Sequence, residues 1–275
     1  MYYETIEAGV KMAEKKKVFL KDNFIGYIMS SALAGMYIGF GIILIFSIGA
    51  GFAGEASPAV KLVMGASFGI ALSLVIFAGS ELFTGNVMLF TFALARRKVT
   101  GGEAAGVLIF SWLGNLLGCL LLAFMVIQAG SIAHSYAFFA KVSLIKVNAP
   151  AMELFVRGIL CNMLVCLALW SAIRTKSDSA KLIIIFWCLF GFIGTGYEHS
   201  IANMTLIAIG ILANPDVAGL TWSGFFYNSL WVTLGNIVGG AVFIAGFYLI
   251  ASKHKLLKLD EGAANSATIA AVKQR

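Results

Sequence analysis

Six mostly apolar segments, separated by short polar ones, make up most of the chain. They cover residues 24–48, 62–95, 104–128, 151–173, 182–213 and 224–251. Several approach or exceed the roughly 20 residues that an α-helix needs to cross a bilayer. The pattern predicts an all-α, polytopic membrane protein. Residues 24–251 form its transmembrane domain of six helices, between an N-terminal segment, 1–23, and a tail, 252–275.

The second and fifth segments are too long for one straight crossing, and a glycine-rich polar patch interrupts each near its middle. The patches read GSELFTGN at residues 79–86 and GTGYEHSIANM at residues 194–204. The flanking pieces are short for complete crossings. Broken helices at matching places in two halves of a chain are typical of a binding site near the membrane midplane. Unwound backbone at that depth is stable only where it is buried in protein or lines a cavity.

The two halves of the chain share further sequence features. The same glutamate–asparagine spacing occurs in both patches, in Glu81 and Asn86 and again in Glu198 and Asn203. The motif LGNxxG at residues 113–118 returns at 234–239. Each half contributes three spans, and because three is odd, the second half must lie upside down relative to the first. The sequence therefore predicts two inverted three-helix repeats whose second and fifth helices are broken.

Composition and charge agree with a membrane protein. The chain is 60% apolar and 12% charged, where a soluble domain carries about 25% charged residues. Most basic residues fall on one side of the predicted bundle: Lys11, Lys15, Lys16, Lys17, Lys21, Arg96, Arg97, Lys98, Arg174, Lys176, Lys181, Lys253, Lys255 and Lys258. The other side carries Lys61, Lys141 and Lys146. This asymmetry predicts that both termini are cytoplasmic. Because the basic residues cluster at span ends, the net charge of +7 does not predict a nucleic-acid partner.

The N-terminal segment has helical amphipathic spacing. Ile6, Val10 and Ala13 share one face, and the lysines suit anionic lipid headgroups, which predicts an interfacial helix over residues 1–23. A solvated tail is the alternative. The four cysteines lie inside apolar segments without CxxC spacing, which favours small buried hydrophobic residues over disulfides or metal ligands.

Polar residues within the spans are the candidates for chemistry, because ionisable groups at membrane depth are costly. His199 lies in a predicted span, whereas His134 lies in a loop and His254 in the tail. We expect it to be functional; the alternative is a structural histidine that bonds free backbone groups. Thr84 offers a hydroxyl that could meet His199 across a pore.

Other polar groups are expected to support the two breaks. Glu81 and Glu198 each precede a half-helix, where a carboxylate accepts from exposed N–H groups and complements the helix dipole. Asn86 and Asn203 are predicted to tie loop backbone together. For the remaining intramembrane amides, Asn115, Asn162 and Asn236, bonds between helices are the simplest explanation. On the Lys61 side, Lys146 could attract anions by its field, and Glu153 is spaced to pair with Arg157.

These patches closely resemble those of the formate/nitrite transporter family. The resemblance rests on residues 79–86, 196–204 and TLGN at 233–236, and it covers residues 8–248. APAM at 149–152 and LCNMLVCLA at 160–168 are more similar to the nitrite-channel branch than to the formate branch. A hydrosulfide-conducting branch of the family shares many of these motifs.

The resemblance implies an aquaporin-like homopentamer in the cytoplasmic (inner) membrane of a prokaryote, with one pore per subunit. The pore would carry small anions of weak acids, nitrite first and then formate, with hydrosulfide as a third candidate, together with protons. The implied pathway residues are His199, Thr84, Lys146, Asn162 and Asn236. The implied constrictions are Phe68 and Phe192 on the outer side and Leu72, Leu82 and Phe83 on the inner side. The N-terminal helix is similar to one proposed to gate the pore in relatives.

Two other classes of function stay open. A membrane-embedded enzyme could use Glu198 and His199 as acid and base, but the sequence has no HExxH, GxSxG, P-loop or GxGxxG motif. We therefore predict no enzyme, no cofactor and no metal. A channel for water or small polyols is the other alternative, although the Asn-Pro-Ala signature of such channels is missing.

Overall fold

The computed structural model describes residues 2–53, 57 and 59–253, and this part of the chain is built from helices joined by short loops. The α-helices are α1 (Tyr3–Asp22), α2 (Phe24–Ala53), α3 (Ala59–Ser67), α4 (Gly69–Leu74), α5 (Phe83–Ala95), α6 (Gly101–Ala129), α7 (Tyr136–Val147), α8 (Ala151–Arg174), α9 (Asp178–Thr195), α10 (Ser200–Ala213) and α11 (Trp222–Val238). Two π-helical stretches, Val75–Gly79 and Gly239–Gly246, and a 3₁₀ turn, Ala133–Ser135, complete them. The predicted tail beyond Lys253, with His254, Lys255 and Lys258, lies outside the described residues.

Within the described residues, six helical runs are long and apolar enough to cross a membrane, which confirms the predicted all-α fold with six spans. They are Phe24–Ala53, Ala59–Gly79, Gly101–Ala129, Ala151–Arg174, Asp178–Thr195 and Trp222–Lys253. Connectivity alternates their direction, so α1 and the end of the last run lie on one side and α7 on the other. We call these the α1 side and the α7 side. The inverted relation of the halves stays a prediction.

Each break lies past the middle of the helical stretch that it interrupts. This corrects the prediction that both helical pieces flanking a break are short. The first pieces, of 21 and 18 residues, are long and apolar enough to cross a membrane, whereas α5 and α10 are short, at 13 and 14 residues. The predicted boundaries were late because Lys61 and Lys181 stand near the helix starts. A lysine at a helix end keeps its ammonium in water while its stem covers apolar surface, so it does not stop the helix.

Glycine in the left-handed conformation ends the long piece at both breaks. Gly196, with φ of 76°, closes α9, and its N–H and that of Tyr197 donate to carbonyls of the last helical turn. Gly79, with φ of 78°, ends the π-helical turn Val75–Gly79. Residues with a Cβ rarely adopt such angles. The chain then continues in extended conformation through Leu82 and His199 into α5 and α10.

Two helix pairs approach through glycines. A Cβ at Gly118 of α6 would overlap the carbonyl oxygen of Ala32 in α2, and one at Gly235 of α11 would overlap that of Phe155 in α8. Close backbone contact at small residues is the common way in which membrane helices pack. It brings α6 and α11, which carry the repeated LGNxxG motifs, directly beside the breaks.

Helix α1 packs on the bundle with the face that the sequence indicated. Ile6, Val10 and Ala13 are at most 1% exposed and lie in one apolar cluster with Leu89 and Phe92 of α5. Protein therefore covers this apolar stripe. The helix reaches the α1-side mouth of the passage described below.

Candidate functional site

Three cavities follow one another through the bundle. A vestibule of about 310 Å³ opens on the α1 side, and another of about 300 Å³ opens on the α7 side. Between them lies a chamber of about 10 Å³, which is close to the space of a single water. The chamber is lined by Ile38, Phe68, Leu72, Leu82, Val165, Leu189, Phe192 and His199.

Residues shared between cavities mark two narrow points. Leu72 and Leu82 line both the chamber and the α1-side vestibule. Phe192 and His199 line both the chamber and the α7-side vestibule. Phe68 packs edge-on against Phe192, with ring centroids 5.5 Å apart. The space between the two vestibules is therefore narrow at two levels, at Leu72 and Leu82 and at Phe192 and His199.

The structure puts Phe83 away from this line. Its side chain is 3% exposed, but it lines neither vestibule nor the chamber. Its backbone N–H donates to Asn115 Oδ1 at 2.9 Å, as the first N–H group of α5. The contacts of Phe83 are thus those of a helix start, and Leu72 and Leu82 narrow the passage at this level.

His199 is held by two hydrogen bonds and one ring contact. Its Nδ1 accepts from the Ala202 N–H at 3.1 Å and so caps α10. Its Nε2 lies 3.1 Å from Thr84 Oγ1, and its ring stacks on Phe192 at 6.1 Å. A nitrogen that accepts carries no hydrogen, so we assign the proton of the neutral imidazole to Nε2. In this tautomer Nε2–H donates to Thr84, whose own hydroxyl hydrogen stays available.

A closed ring of polar groups lies at the α7-side vestibule. Lys146 Nζ is 2.7 Å from both carboxylate oxygens of Glu198, which also accepts from Asn203 Nδ2 at 2.5 Å. Asn203 donates to Asn228 Oδ1 at 2.9 Å, and Asn228 donates back to the Lys146 carbonyl at 3.1 Å. We call these four residues the α7-side cluster. Glu198 is only 3% exposed, so its charge depends on these partners.

A similar group, the α1-side cluster, lies at the other mouth. Lys16 Nζ is 2.7 Å from Glu81 Oε2, and Asn86 Nδ2 donates to Glu81 at 3.3 Å and to the Tyr27 hydroxyl at 3.4 Å. Lys16 was predicted to meet lipid headgroups with the other N-terminal lysines, and that prediction was wrong. A buried carboxylate offers this ammonium a charge-assisted hydrogen bond beside the protein's own apolar surface.

The capping role predicted for Glu81 and Glu198 is also contradicted. In the described part of the chain, their carboxylates bond to lysine and asparagine side chains, as set out above. The N-terminal N–H groups of α10 are served instead by His199 Nδ1 and by Asn236 Oδ1, which accepts from Ser200 at 2.9 Å. The carboxylates can therefore bind the lysines. A charged ammonium forms a stronger hydrogen bond with a carboxylate than a neutral backbone N–H does.

Two amides tie the break loops to their neighbours. Asn236 Nδ2 donates to the carbonyls of Gly158 and Glu198 at 2.8 and 3.0 Å. In the same way, Asn115 Nδ2 donates to the carbonyls of Ser31 and Glu81, both at 2.8 Å. Each amide also accepts from the start of a half-helix. With three hydrogen bonds each and no exposure, these two residues hold the unwound backbone in place.

Two asparagines depart from their predicted role, whereas the other intramembrane amides form the predicted bonds between helices. Asn86 and Asn203 were expected to tie loop backbone, but their side chains belong to the two lysine–glutamate clusters. The resemblance placed Asn236 along the substrate pathway, but its side-chain amide forms hydrogen bonds with backbone groups. Asn162 lies behind Thr84, where its Nδ2 donates to the carbonyls of Thr84 at 3.2 Å and Asn236 at 2.6 Å.

Three members of the α1-side and α7-side clusters were not predicted as site residues. Lys16 stands among other lysines, Tyr27 in an apolar span, and Asn228 in a stretch that repeats no motif. The repeated LGNxxG motif, by contrast, was a signal for Asn115 and Asn236. It places the same amide on α6 and α11, opposite two breaks of similar sequence.

The comparisons with known proteins agree with this architecture. The chain is 46% identical over 261 residues to the nitrite transporter NirC of Escherichia coli (strain K12), with 92% of this chain and 93% of that protein aligned. A solved structure named FNT family ion channel has a TM-score of 0.86 at 43% identity, covering 91% of this chain and 99% of that chain. A pentameric formate channel with formate bound has a TM-score of 0.74 at 25% identity, with 84% and 98% covered.

The family assignment follows from a match along nearly the whole chain. The family profile described as formate/nitrite transporter covers residues 3–250, which includes both breaks and both lysine–glutamate clusters. The relatives are transporters and channels, consistent with a protein that moves solutes rather than one that converts them. This multi-pass membrane protein belongs to the formate/nitrite transporter family.

Proposed function

We propose that this protein is a channel for small monovalent anions of weak acids, with nitrite as the first substrate and formate as the second. The observation that carries the proposal is the Thr84–His199 pair beside a water-sized chamber that apolar constrictions close on both sides. The names of the relatives, a nitrite transporter and a formate channel, support the choice of anions. Hydrosulfide, a smaller anion of a weak acid, is the third candidate.

Assembly and orientation follow the same reasoning. A relative of the same fold is a pentamer, which supports a homopentamer with one passage per subunit. The excess of Lys and Arg on the α1 side makes that side cytoplasmic in a prokaryotic inner membrane. The α7 side then faces outward, and the lysines of both clusters stand near the mouths by which anions enter. The helix α1 carries one of them, Lys16, and a gating movement of α1 would therefore also move that charge.

Neutralising the anion is the easier way through the constrictions. An ion that leaves water for an apolar passage without partners faces a cost on the order of tens of kcal/mol. Protonating an acid of pKa about 4 at pH 7 costs about three pH units at 1.36 kcal/mol each, or roughly 4 kcal/mol. Protonating the anion next to the Phe192 constriction therefore costs far less than moving the charged anion through that constriction.

His199 supplies this proton through its Nε2, directly or through Thr84. To lend the Nε2 proton and end as a neutral imidazole, His199 must first become a cation by taking a second proton at Nδ1 from water of the α7-side vestibule, which gives up the bond from Ala202. Losing a helix cap of this kind costs about 1 kcal/mol. The second possibility is that neutral His199 only donates a hydrogen bond to the passing anion through Nε2–H. Only the first mechanism requires the Nδ1 acceptor bond to be given up, so the experiment must separate the two.

Replacing His199 by asparagine tests the proton-lending mechanism. Asparagine keeps a hydrogen-bond donor but cannot carry the proton. We expect nitrite and formate flux into proteoliposomes to fall between tenfold and about a thousandfold, up to the ~4 kcal/mol of the neutral route at 1.36 kcal/mol per decade. The rise of flux at lower pH should flatten. Flux is measured over a pH series with an imposed pH gradient.

The matched control is His134→Asn. His134 Nε2 contacts Ser47 at the protein surface on the α7 side, away from the chamber, so this variant should transport like the unmodified protein. Size-exclusion chromatography of both variants checks that assembly is intact. If His199→Asn kept both the flux and its pH profile, the proton-lending role would be excluded. Reduced flux with an unchanged pH profile would favour the hydrogen-bonding role.

A further inference from the structure

We propose that Lys61 is the residue that recruits anions into the α7-side vestibule. This deepens the proposed function, on which it rests, by naming a further residue that determines how the anion enters. Lys61 stands in the first turn of α3, is exposed, and lines the α7-side vestibule together with Lys146 and His199. Among the described residues it forms no hydrogen bond or ion pair.

The argument begins with the charge of Lys146. This ammonium lies 2.7 Å from both oxygens of the Glu198 carboxylate, and Glu198 is buried. A salt-bridged pair has no net charge, so its field falls off quickly with distance compared with that of a single charge. Lys146 can bond to an anion that has already arrived, but its attraction for distant anions is largely cancelled by Glu198.

No described residue pairs with Lys61, so its charge adds the field that the neutral Lys146–Glu198 pair lacks. A single cation at the mouth of an apolar cleft raises the local concentration of anions, because the low-dielectric walls focus its field. Lys61 also lines a lateral groove of about 320 Å³ with Leu62, Phe190 and Gly194.

The chain offers a matched control for this charge. Lys141 of α7 is exposed on the same side of the molecule but lines neither the vestibule nor the lateral groove. The substitutions Lys61→Gln and Lys141→Gln change the net charge by the same amount. If proximity to the vestibule matters, only the first should affect transport. Lys61→Arg keeps the charge, and Lys61→Glu reverses it.

The test measures nitrite and formate flux against anion concentration, with anion added on the α7 side, at roughly 10 mM and 1 M inert salt. For Lys61→Gln we expect the half-saturating concentration to rise about two- to fivefold at low salt, and further for Lys61→Glu, with maximal flux unchanged. The difference should disappear at high salt, where the screening length is only about 3 Å. Lys61→Arg and Lys141→Gln should match the unmodified protein.

Two results would overturn the assignment. One is a Lys61→Gln curve that coincides with the Lys141→Gln curve at low salt. The other is a change that persists at 1 M salt, which would mean that Lys61 acts through structure or through a bound lipid headgroup. Absence of any anion flux in the unmodified protein would instead overturn the proposed function, and this inference with it. Normal flux with an indifferent Lys61 contradicts the inference alone.

Discussion

Replacing Gly118 by alanine is expected to prevent the protein from accumulating as a stable assembly. The added methyl group would overlap the backbone carbonyl of Ala32, which cannot rotate away as a flexible side chain could. Helices α2 and α6 would have to separate along their contact. That movement would also stretch the Asn115 bonds to the carbonyls of Ser31 and Glu81, which hold the first break.

The control for Gly118→Ala is the same substitution at Gly102. Gly102 lies on the same helix, α6, with nothing within 4 Å of the added Cβ, and alanine favours a helix by about 1 kcal/mol over glycine. We therefore expect opposite signs from one chemical change. In thermal unfolding of detergent-purified protein, Gly118→Ala should lose at least about 10 °C or yield no folded protein. Gly102→Ala should match or slightly exceed the unmodified protein. Equal stability of the two variants would contradict this account of the α2–α6 contact.

Much of the fold could be predicted because its signals are local. Membrane crossing depends on the hydrophobicity of consecutive residues, so six spans can be counted from the chain alone. The breaks were also visible, because a left-handed backbone requires residues such as Gly79 and Gly196. The lengths of the helical pieces before the breaks could not be predicted correctly. Lys61 and Lys181 were taken as the residues before the helix starts, although a helix end accommodates lysine.

The candidate site could be predicted only in part. Thr84 and His199 stand out in the sequence as polar residues of the two breaks, and the structure brings them within hydrogen-bonding distance. The partners of the carboxylates were not predictable, because pairs such as Lys16 with Glu81 join positions 65 residues apart. Which of several N-terminal lysines reaches the carboxylate depends on how α1 packs, and local sequence does not determine that.

The asparagines show why residue type alone did not assign roles. Asn86 and Asn115 are both buried amides near the first break, and either could bond to backbone. Asn115 lies on α6 directly opposite the start of α5, where its oxygen meets the Phe83 N–H. Asn86 lies inside α5 one turn later, where the backbone is already bonded within the helix and the nearest acceptor is Glu81. Geometry between helices decides the role.

Replacing Glu198 by glutamine is expected to lower both the stability and the maximal flux. The pair of Glu198 with Lys146 is largely buried, with side chains 4% and 17% exposed. Removing one member of a buried pair leaves the other charge uncompensated and costs about 3 kcal/mol. This corresponds to a fall in unfolding temperature of roughly 5–10 °C. The unpaired Lys146 should also bind the anion more tightly and release it more slowly.

Glu153→Gln is the matched control for this change. Glu153 pairs with Arg157 one helical turn away on the same side of the protein, but the two side chains are 50% and 41% exposed. An exposed pair of this kind contributes at most about 1 kcal/mol, so its loss should shift the unfolding temperature by no more than roughly 3 °C.

The kinetic signature separates Glu198 from Lys61. For Glu198→Gln, the half-saturating anion concentration should fall while maximal flux falls at least about fivefold, because the passage step now starts from a more tightly bound anion. For Lys61→Gln the half-saturating concentration should rise at constant maximal flux. If Glu198→Gln instead matched Glu153→Gln in both stability and flux, the buried pair would be dispensable. The anion would then pass Lys146 without depending on its partner.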